Sequence, residues 1–316
     1  MKAEILVNIT PSETRVARLE DGILVDIAIE RVGNRSLVGN IYNGKVVRVM
    51  PGMQAAFVEI GLEKAGFIHA NDIMQSAAPG GDPSSTATPD IRQLLREGQV
   101  LPVQVIKEPI SSKGARLSTH LSVSSRYLVY MPGVDHIGIS QRIEKEDERE
   151  RLRTQLDLAV EAGGMKEEGG GYIIRTVADG VAEDEFRTDV DYLHRLWGLV
   201  KDKITRLPPR TCIYHDLPLS LRTMRDVAAE TVARIRVDSI DIHKQMCRFT
   251  ENFSPEMLEK LEYYEAERPI FSLFGVEDEI NKSLERKVKL KSGGYLIFDQ
   301  TEAMTTIDVN TGGFVG

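Results

Sequence analysis

At 316 residues the chain exceeds what one hydrophobic core usually fills, so about two domains are expected. Its 41% hydrophobic and 28% charged residues, with 26 glycines, exclude a fibre and wholesale disorder. A net charge of -8 excludes a surface that is basic throughout, and leaves nucleic-acid binding only to a local patch, because displacing counterions from phosphates needs Lys and Arg.

The start, "MKAEILVNIT", has no apolar core of signal-peptide length, and no stretch approaches the ~20 apolar residues of a membrane span. A cytoplasmic protein is expected. In "ETRVARL-EDG-ILVDIAI" two alternating runs flank Asp21-Gly22, a strong hairpin signal because the turn needs positive φ. From Gly39 to about Thr119 short β-like runs follow one another: "NIYNGKVVRV", "AAFVEIG", "AGFIHA", "VLPVQVI" and "GARLST". Many short strands with Gly-rich turns predict a small barrel. It is interrupted by "MQSAAPGGDPSSTATPD", which has no hydrophobic period and reads as an inserted mobile loop.

Past Met131 the texture changes. "QRIEKEDERERLRTQLDLAVEAG" reads as an exposed helix with apolar contacts near its end, and "GYIIRTVA" as a short strand. Phe186, Val190, Leu193, Trp197 and Val200 recur every three or four residues, the stripe of an amphipathic helix. The prolines of "RLPPRT" mark a boundary. From Pro218 to Lys287 mostly helices are expected, one of them in "SPEMLEKLEYYE" with Ser254 as N-cap and Pro255 at the first helical position. "KVKLKSGGYLIFDQTEAMTTIDV" then reads as three strands opening a sheet. Cys212 and Cys247 form no C-x-x-C and read as reduced core thiols, against a zinc knuckle or disulfide framework.

Four places carry candidate chemistry. Between Leu101 and Arg126 the charges are Lys107, Lys113, Arg116 and Arg126 against Glu108, so RNA or DNA would bind this basic stretch first. Phe57 and Phe67, in short β runs of the barrel, are either core residues or an exposed platform on which bases stack, with Lys113 and Arg116 beside it. Arg175 and Thr176 are either a solvated strand end or a guanidinium and hydroxyl that clamp a terminal phosphate. Asp308 and Asn310, two apart, share one face of a strand. They either shape the turn before Gly312-Gly313 or supply a hard-cation ligand and a polar group orienting the scissile phosphate. Asp299 and Glu302 are further acidic candidates.

Taken together, "LVGNIYNGKVVRVMPGMQAAFVEIGLEKAGFIHA", "SRYLVYMPG", "GISQRIE", "IIRT", "PIFSLFGVEDEI" and "KSGGYLIFDQTEAMTTIDVNTG" resemble the ribonuclease E/G family along the whole chain. The resemblance implies an α+β multidomain architecture. An RNase H-like domain (1–36 and 214–278) would be interrupted by an S1-type oligonucleotide-binding barrel (37–120) and a 5′-sensor region (121–213). The start of a DNase I-like catalytic domain would follow at 279–316.

It further implies a Mg²⁺-dependent endoribonuclease that cuts single-stranded, A/U-rich RNA to 5′-phosphate products and prefers a 5′-monophosphorylated end. Such enzymes act in 5′-end maturation of ribosomal RNA and in mRNA decay. By position, Phe57, Phe67 and Lys113 match the RNA-gripping face. Arg175 and Thr176 match the 5′-phosphate pair, with Val129 beside them and Ser125 where the family's larger member has Gly at a backbone contact. Asp308 matches a Mg²⁺ aspartate and Asn310 the neighbouring catalytic Asn. The family's second Mg²⁺ aspartate and the cysteine pair of its zinc link fall beyond Gly316 in the family pattern. The expectation is therefore a chain that binds RNA and cleaves it slowly or not at all, with a homodimer possible only in a longer protein. The alternative is a non-catalytic RNA-binding fragment or regulator that uses barrel and sensor alone.

Overall fold

Asp21 and Gly22 both take positive φ, 50° and 79°, the pair of left-handed residues that a two-residue hairpin turn requires. The hairpin joins β2 (Glu13–Glu20) to β3 (Ile23–Arg31), and β2 also pairs antiparallel with β1 (Ala3–Ile9). The computed structural model describes residues 3–33, 35–74, 90–110, 113–162, 169–226, 232–253 and 255–313. The chain divides into two compact units, Met1–Asn34 with Leu219–Gly316, and Arg35–Pro218. The expected Ser/Pro/Gly insert falls mainly on 75–89, outside the described residues, as does the N-cap assigned to Ser254.

The inner unit begins with a barrel. Strands β4 (Ile41–Met50), β5 (Ala55–Glu59), β6 (Gly66–His69), β7 (Val100–Lys107) and β8 (Arg116–Ser118) run in the order β4-β5-β6-β8-β7, and the ring closes through β4–β7 pairing. Val46, Val58, Ile68, Val103, Val105 and Leu117 fill it. Gly44 lets β4 cross this interior, since a Cβ there would lie 2.5 Å from Val58 Cγ1 and 3.0 Å from Val103 Cγ2. A short helix, α1 (Ile91–Leu94), is capped by Asp90, whose carboxylate accepts from the Arg92 amide.

Next comes a four-stranded sheet of β9 (Val123–Ser124), β10 (Leu128–Pro132), β11 (Ile137–Ile139) and β12 (Gly170–Ile174), in the order β11-β12-β10-β9. Helices α2 (Glu146–Ala162) and α3 (Glu183–Arg206) pack together against it. The apolar stripe of α3 is buried as its spacing predicts, from Phe186 to Val200. Strand β13 (Thr211–Tyr214) returns to pair with β4 on the barrel's outer edge. Ile41 of β4 and Ile213 of β13 belong to the same core as Leu128, Tyr172 and Leu193, so the start of β4 and β13 share the core of the sheet, while a separate cluster fills the barrel.

In the outer unit, α4 (Leu219–Asp226) is followed by β14 (Val232–Val237), α5 (Ile240–Phe253) and β15 (Leu261–Tyr263). Both strands run parallel to β1, giving a five-stranded sheet in the order β15-β14-β1-β2-β3. Ile5 and Val7 pack on one side with Ile235 and Met246, while Leu6 packs on the other with Ile270 and Phe271. The second side is covered by α6 (Ile270–Leu273) and α7 (Val276–Ser283). Finally β16 (Lys287–Lys289), β17 (Tyr295–Gln300) and β18 (Thr305–Asn310) form an antiparallel three-stranded sheet.

Three expectations need correction. The segment from Pro218 to Lys287 holds two sheet strands, because β14 finds a parallel partner in β1, far away in sequence. Pro255–Lys260 is a 3-10 turn that runs straight into β15, not a longer helix. Cys212 and Cys247 are free thiols but only half-buried, at the margins of their cores.

The Tyr172 ring sits in the shared core 5.2 Å from that of Tyr130, and its hydroxyl finds no hydrogen-bond partner among the described residues. A buried hydroxyl without a partner costs ~1 kcal/mol or more. Tyr172→Phe should therefore raise the unfolding midpoint in urea by an amount worth ~1 kcal/mol; a drop of that size would show that the hydroxyl is bonded.

Candidate nucleic-acid interface

Phe57 and Phe67 stand directly opposite one another on β5 and β6, their rings edge-to-face with centroids 6.1 Å apart. Neither lies in the barrel interior; both are half-buried on its outer face. With Met53, Lys107, Ile110 and Lys113 they line a depression of about 540 Å³. Two apolar rings flanked by ammonium groups make a surface that accepts any base by stacking while holding the backbone by charge. Lys113 is placed by a local bridge in which its amide donates to the Ile110 carbonyl at 2.9 Å. The following Gly114 lets this loop lie against β6, since a Cβ would run into the Ala65 carbonyl.

The basic stretch is divided by the fold. Arg116 reaches the rim of the depression, but its Nε and Nη2 donate to Asp72 at 2.9 and 3.2 Å. That bidentate pair largely cancels its charge, so Arg116 first ties β8 to the 70–72 turn. Arg126 is buried, with its guanidinium 4.9 Å from the Tyr127 ring centroid, and does not reach the barrel face. Lys107, the first cation of the basic stretch, is exposed beside the aromatic pair. Glu108 also lines the depression, but its carboxylate is engaged, accepting from the Ser36 hydroxyl at 2.7 Å and the Leu37 amide at 2.8 Å.

A second cluster lies where β12 ends. Arg175 is half-buried, and its Nη1 donates to the carbonyls of Ser125 and Arg126 at 2.9 and 3.1 Å. Thr176 is exposed, its hydroxyl 2.8 Å from that of Ser140 at the end of β11. Arg149 holds the Ser140–Ile143 turn by donating to both carbonyls at 3.0 Å. Val129 is half-buried and pairs with Ile173, two residues before Arg175. Ser125 takes a different place from the one expected. It is fully buried and its hydroxyl bonds Asp189, so the side chain is closed to a ligand and only its carbonyl serves the cluster, by holding Arg175. Burial pushes the Asp189 carboxyl up to about 6, against the hydrogen bonds from Ser125, Tyr127 and Leu128 that draw it down.

Asp308 and Asn310 share a face of β18, and Asn310 Nδ2 donates to Asp308 Oδ2 at 2.8 Å. Across the sheet they stand opposite Ile297 and Tyr295, and the Lys287 ammonium lies 3.8 Å from the Tyr295 ring centroid. Asp299 is paired with Arg286 at 2.7 Å, which holds its carboxyl below the ordinary range. Among the described residues no three His, Cys, Asp or Glu side chains gather as a metal cage. The exposed Asp308 carboxylate fits one ligand of a Mg²⁺ ion, which keeps several waters and takes one or two protein carboxylates beside substrate phosphate.

The model of the ribonuclease E/G family matches residues 122–316, and that of the S1 RNA binding domain matches residues 37–120. The chain belongs to the ribonuclease E/G family. Ribonuclease G of Escherichia coli is 53% identical to it over 318 aligned positions, covering 100% of this chain and 64% of that protein. Ribonuclease G of Haemophilus influenzae is 47% identical, covering 99% and 63%, and ribonuclease E of Escherichia coli 33% identical, covering 97% and 29%. The chain thus spans less than two thirds of the length of these relatives. Within the family assignment the barrel that carries Phe57 and Phe67 is the S1 RNA binding domain.

Stacking is worth ~1 to 3 kcal/mol per base, so Phe57→Ala or Phe67→Ala should weaken binding of a single-stranded oligoribonucleotide at least ~5-fold in fluorescence anisotropy. Lys113→Ala should reduce the salt dependence by about 0.7 in log–log slope, one phosphate contact. Arg116→Ala should lower thermal stability more than it lowers that slope. The reverse pattern for Lys113 and Arg116 would show that the charge division is misassigned.

Proposed function

We propose that the chain is the RNA-gripping and end-sensing part of a Mg²⁺-dependent endoribonuclease acting on single-stranded, A/U-rich RNA. The observation that carries this reading is the pairing of an exposed aromatic platform with the Arg175–Thr176–Ser140 cluster on one unit of the chain. Bases stack on Phe57 and Phe67 while Lys107 and Lys113 hold the backbone. Arg175 and Thr176 receive a 5′-monophosphate, for which a planar guanidinium and a neighbouring hydroxyl are matched donors. Asp308 supplies a carboxylate to Mg²⁺ and Asn310 orients the scissile phosphate. When bound, the ion would neutralise charge on the phosphate and lower the pKa of a water for attack. The five-stranded mixed sheet fits an RNase H-like domain, and the last three strands fit the opening of a DNase I-like one. The cellular roles that accompany this reading are maturation of ribosomal RNA 5′ ends and mRNA decay in the cytoplasm.

A second reading, an RNA-binding chain without cleavage, is favoured by one feature. Asp308 is exposed, and among the described residues it is part of no group of three or more acidic, imidazole or thiol side chains that could hold a metal. The two readings share the binding chemistry and differ in the metal. Matched oligoribonucleotides with 5′-monophosphate and 5′-hydroxyl ends, in Mg²⁺ or in a chelator, separate them. We expect tighter binding of the monophosphorylated end, lost in Arg175→Ala, and slow cleavage that needs Mg²⁺ and stops in Asp308→Ala. Equal affinity for both ends would remove the sensor assignment. Rapid cleavage indifferent to Asp308→Ala would remove the catalytic one.

A further inference from the structure

Arg175 can read a phosphate only if its guanidinium is held in one orientation, and the contacts that hold it lead back to a single buried carboxylate. Asp189 lies on α3 and is 6% exposed. Its Oδ2 accepts the Ser125 hydroxyl at 2.5 Å, the Tyr127 amide at 2.7 Å and the Leu128 amide at 3.1 Å. All three donors come from the tight turn between β9 and β10, and the Ser125 amide donates to the Leu128 carbonyl at 2.9 Å to close that turn. The turn's remaining carbonyls face Arg175. Those of Ser125 and Arg126 receive Nη1, and that of Tyr127 receives the Arg175 backbone amide at 2.8 Å. The turn therefore has its amides fixed on one side by Asp189 and its carbonyls fixed on the other by Arg175.

Removing a buried acceptor on which three donors converge leaves those donors unsatisfied, and the turn must rearrange toward other partners or water. Its carbonyls would move with it. We propose that Asp189 is a positioning residue for 5′-phosphate recognition: by clamping the 125–128 turn it presents the carbonyls that orient the Arg175 guanidinium beside Thr176 and Ser140. This assignment rests on the end-sensing reading given above. It also explains why a Ser stands at position 125, where the hydroxyl is one of the three donors to the clamp. The buried Arg126 side chain adds a favourable charge near the carboxylate.

The test compares wild type, Asp189→Ala, Asp189→Asn and Ser125→Ala by two readouts. The first is the ratio of affinities for 5′-monophosphorylated and 5′-hydroxyl oligoribonucleotides. The second is NMR of the Arg175 side-chain Nε–H and of the Tyr127 and Leu128 amides, which reports the clamp without RNA. In Asp189→Ala the ratio should fall about 10-fold while affinity for the 5′-hydroxyl oligonucleotide stays unchanged, and the Arg175 and amide signals should shift and exchange faster. Asp189→Asn, whose side-chain carbonyl can still accept from both amides, should recover most of both readouts, and Ser125→Ala should fall between. If the wild type shows no preference for a monophosphate, the end-sensing reading fails, and the NMR still decides whether Asp189 holds Arg175. A folded Asp189→Ala protein with unchanged Arg175 signals would overturn the proposal. Should Asp189→Ala not fold, unchanged Arg175 signals in both Asp189→Asn and Ser125→Ala would overturn it, and graded shifts would support it.

Discussion

Strand β4 is the constraint on which the RNA-binding unit depends. It pairs with β5 and β7 inside the barrel and with β13 outside it, so one strand closes the ring and anchors the return of the chain from α3. At its start Ile41 is fully buried in the core of the sensor region, while further along Val46 is fully buried in the barrel. Burial at both ends opposes any hinge between the two, because opening one would expose apolar surface at ~25 cal/mol per Å². The aromatic platform and the Arg175 cluster are thus carried on one unit of the chain, as the proposed reading of an RNA strand from its end requires.

On the proposed reading, affinity and selectivity divide between the two places. The platform is apolar with two exposed lysines at its edge, which suits binding that tolerates any base sequence. The phosphate cluster is built from directional groups whose orientations are fixed by backbone carbonyls and neighbouring hydroxyls. Several arginines elsewhere among the described residues are engaged with acids, among them Arg116 with Asp72, Arg151 with Glu148 and Arg210 with Glu59. An acidic protein can therefore display positive charge in one depression without becoming generally adhesive to nucleic acid.

Much of this was legible where the determining interactions are local. The Asp21-Gly22 turn, the alternating barrel strands and the stripe of α3 each follow from spacing within a dozen residues. Arg175, Thr176, Asp308 and Asn310 stand out as candidates from their local pattern, and the family resemblance favours the functional reading that this pattern leaves open. What escaped depends on long-range partners. "VARIRV" becomes a central strand only because β1 lies beside it, and Arg116 loses its free charge only because Asp72 is brought across the barrel. The burial of the Ser125 side chain is not legible locally, because its acceptor, Asp189, sits 64 residues along the chain. Asp189 did leave a signal: it falls three residues after Phe186 and four before Leu193, a carboxylate on the buried stripe of α3, where an acid must have partners.

On the proposed reading, one unit of the chain binds the body of an RNA strand at the barrel face and its 5′ end at the Arg175 cluster. Photocrosslinking tests it most directly, using 5′-monophosphorylated oligoribonucleotides that carry 4-thiouridine either at the first nucleotide or several nucleotides inward, followed by peptide mapping. The terminal label should crosslink within residues 125–142 or 173–180, and the internal label near Phe57, Phe67 or Lys113. Crosslinks from both labels to the same segment, or to the outer unit's β1–β3 sheet, would contradict it.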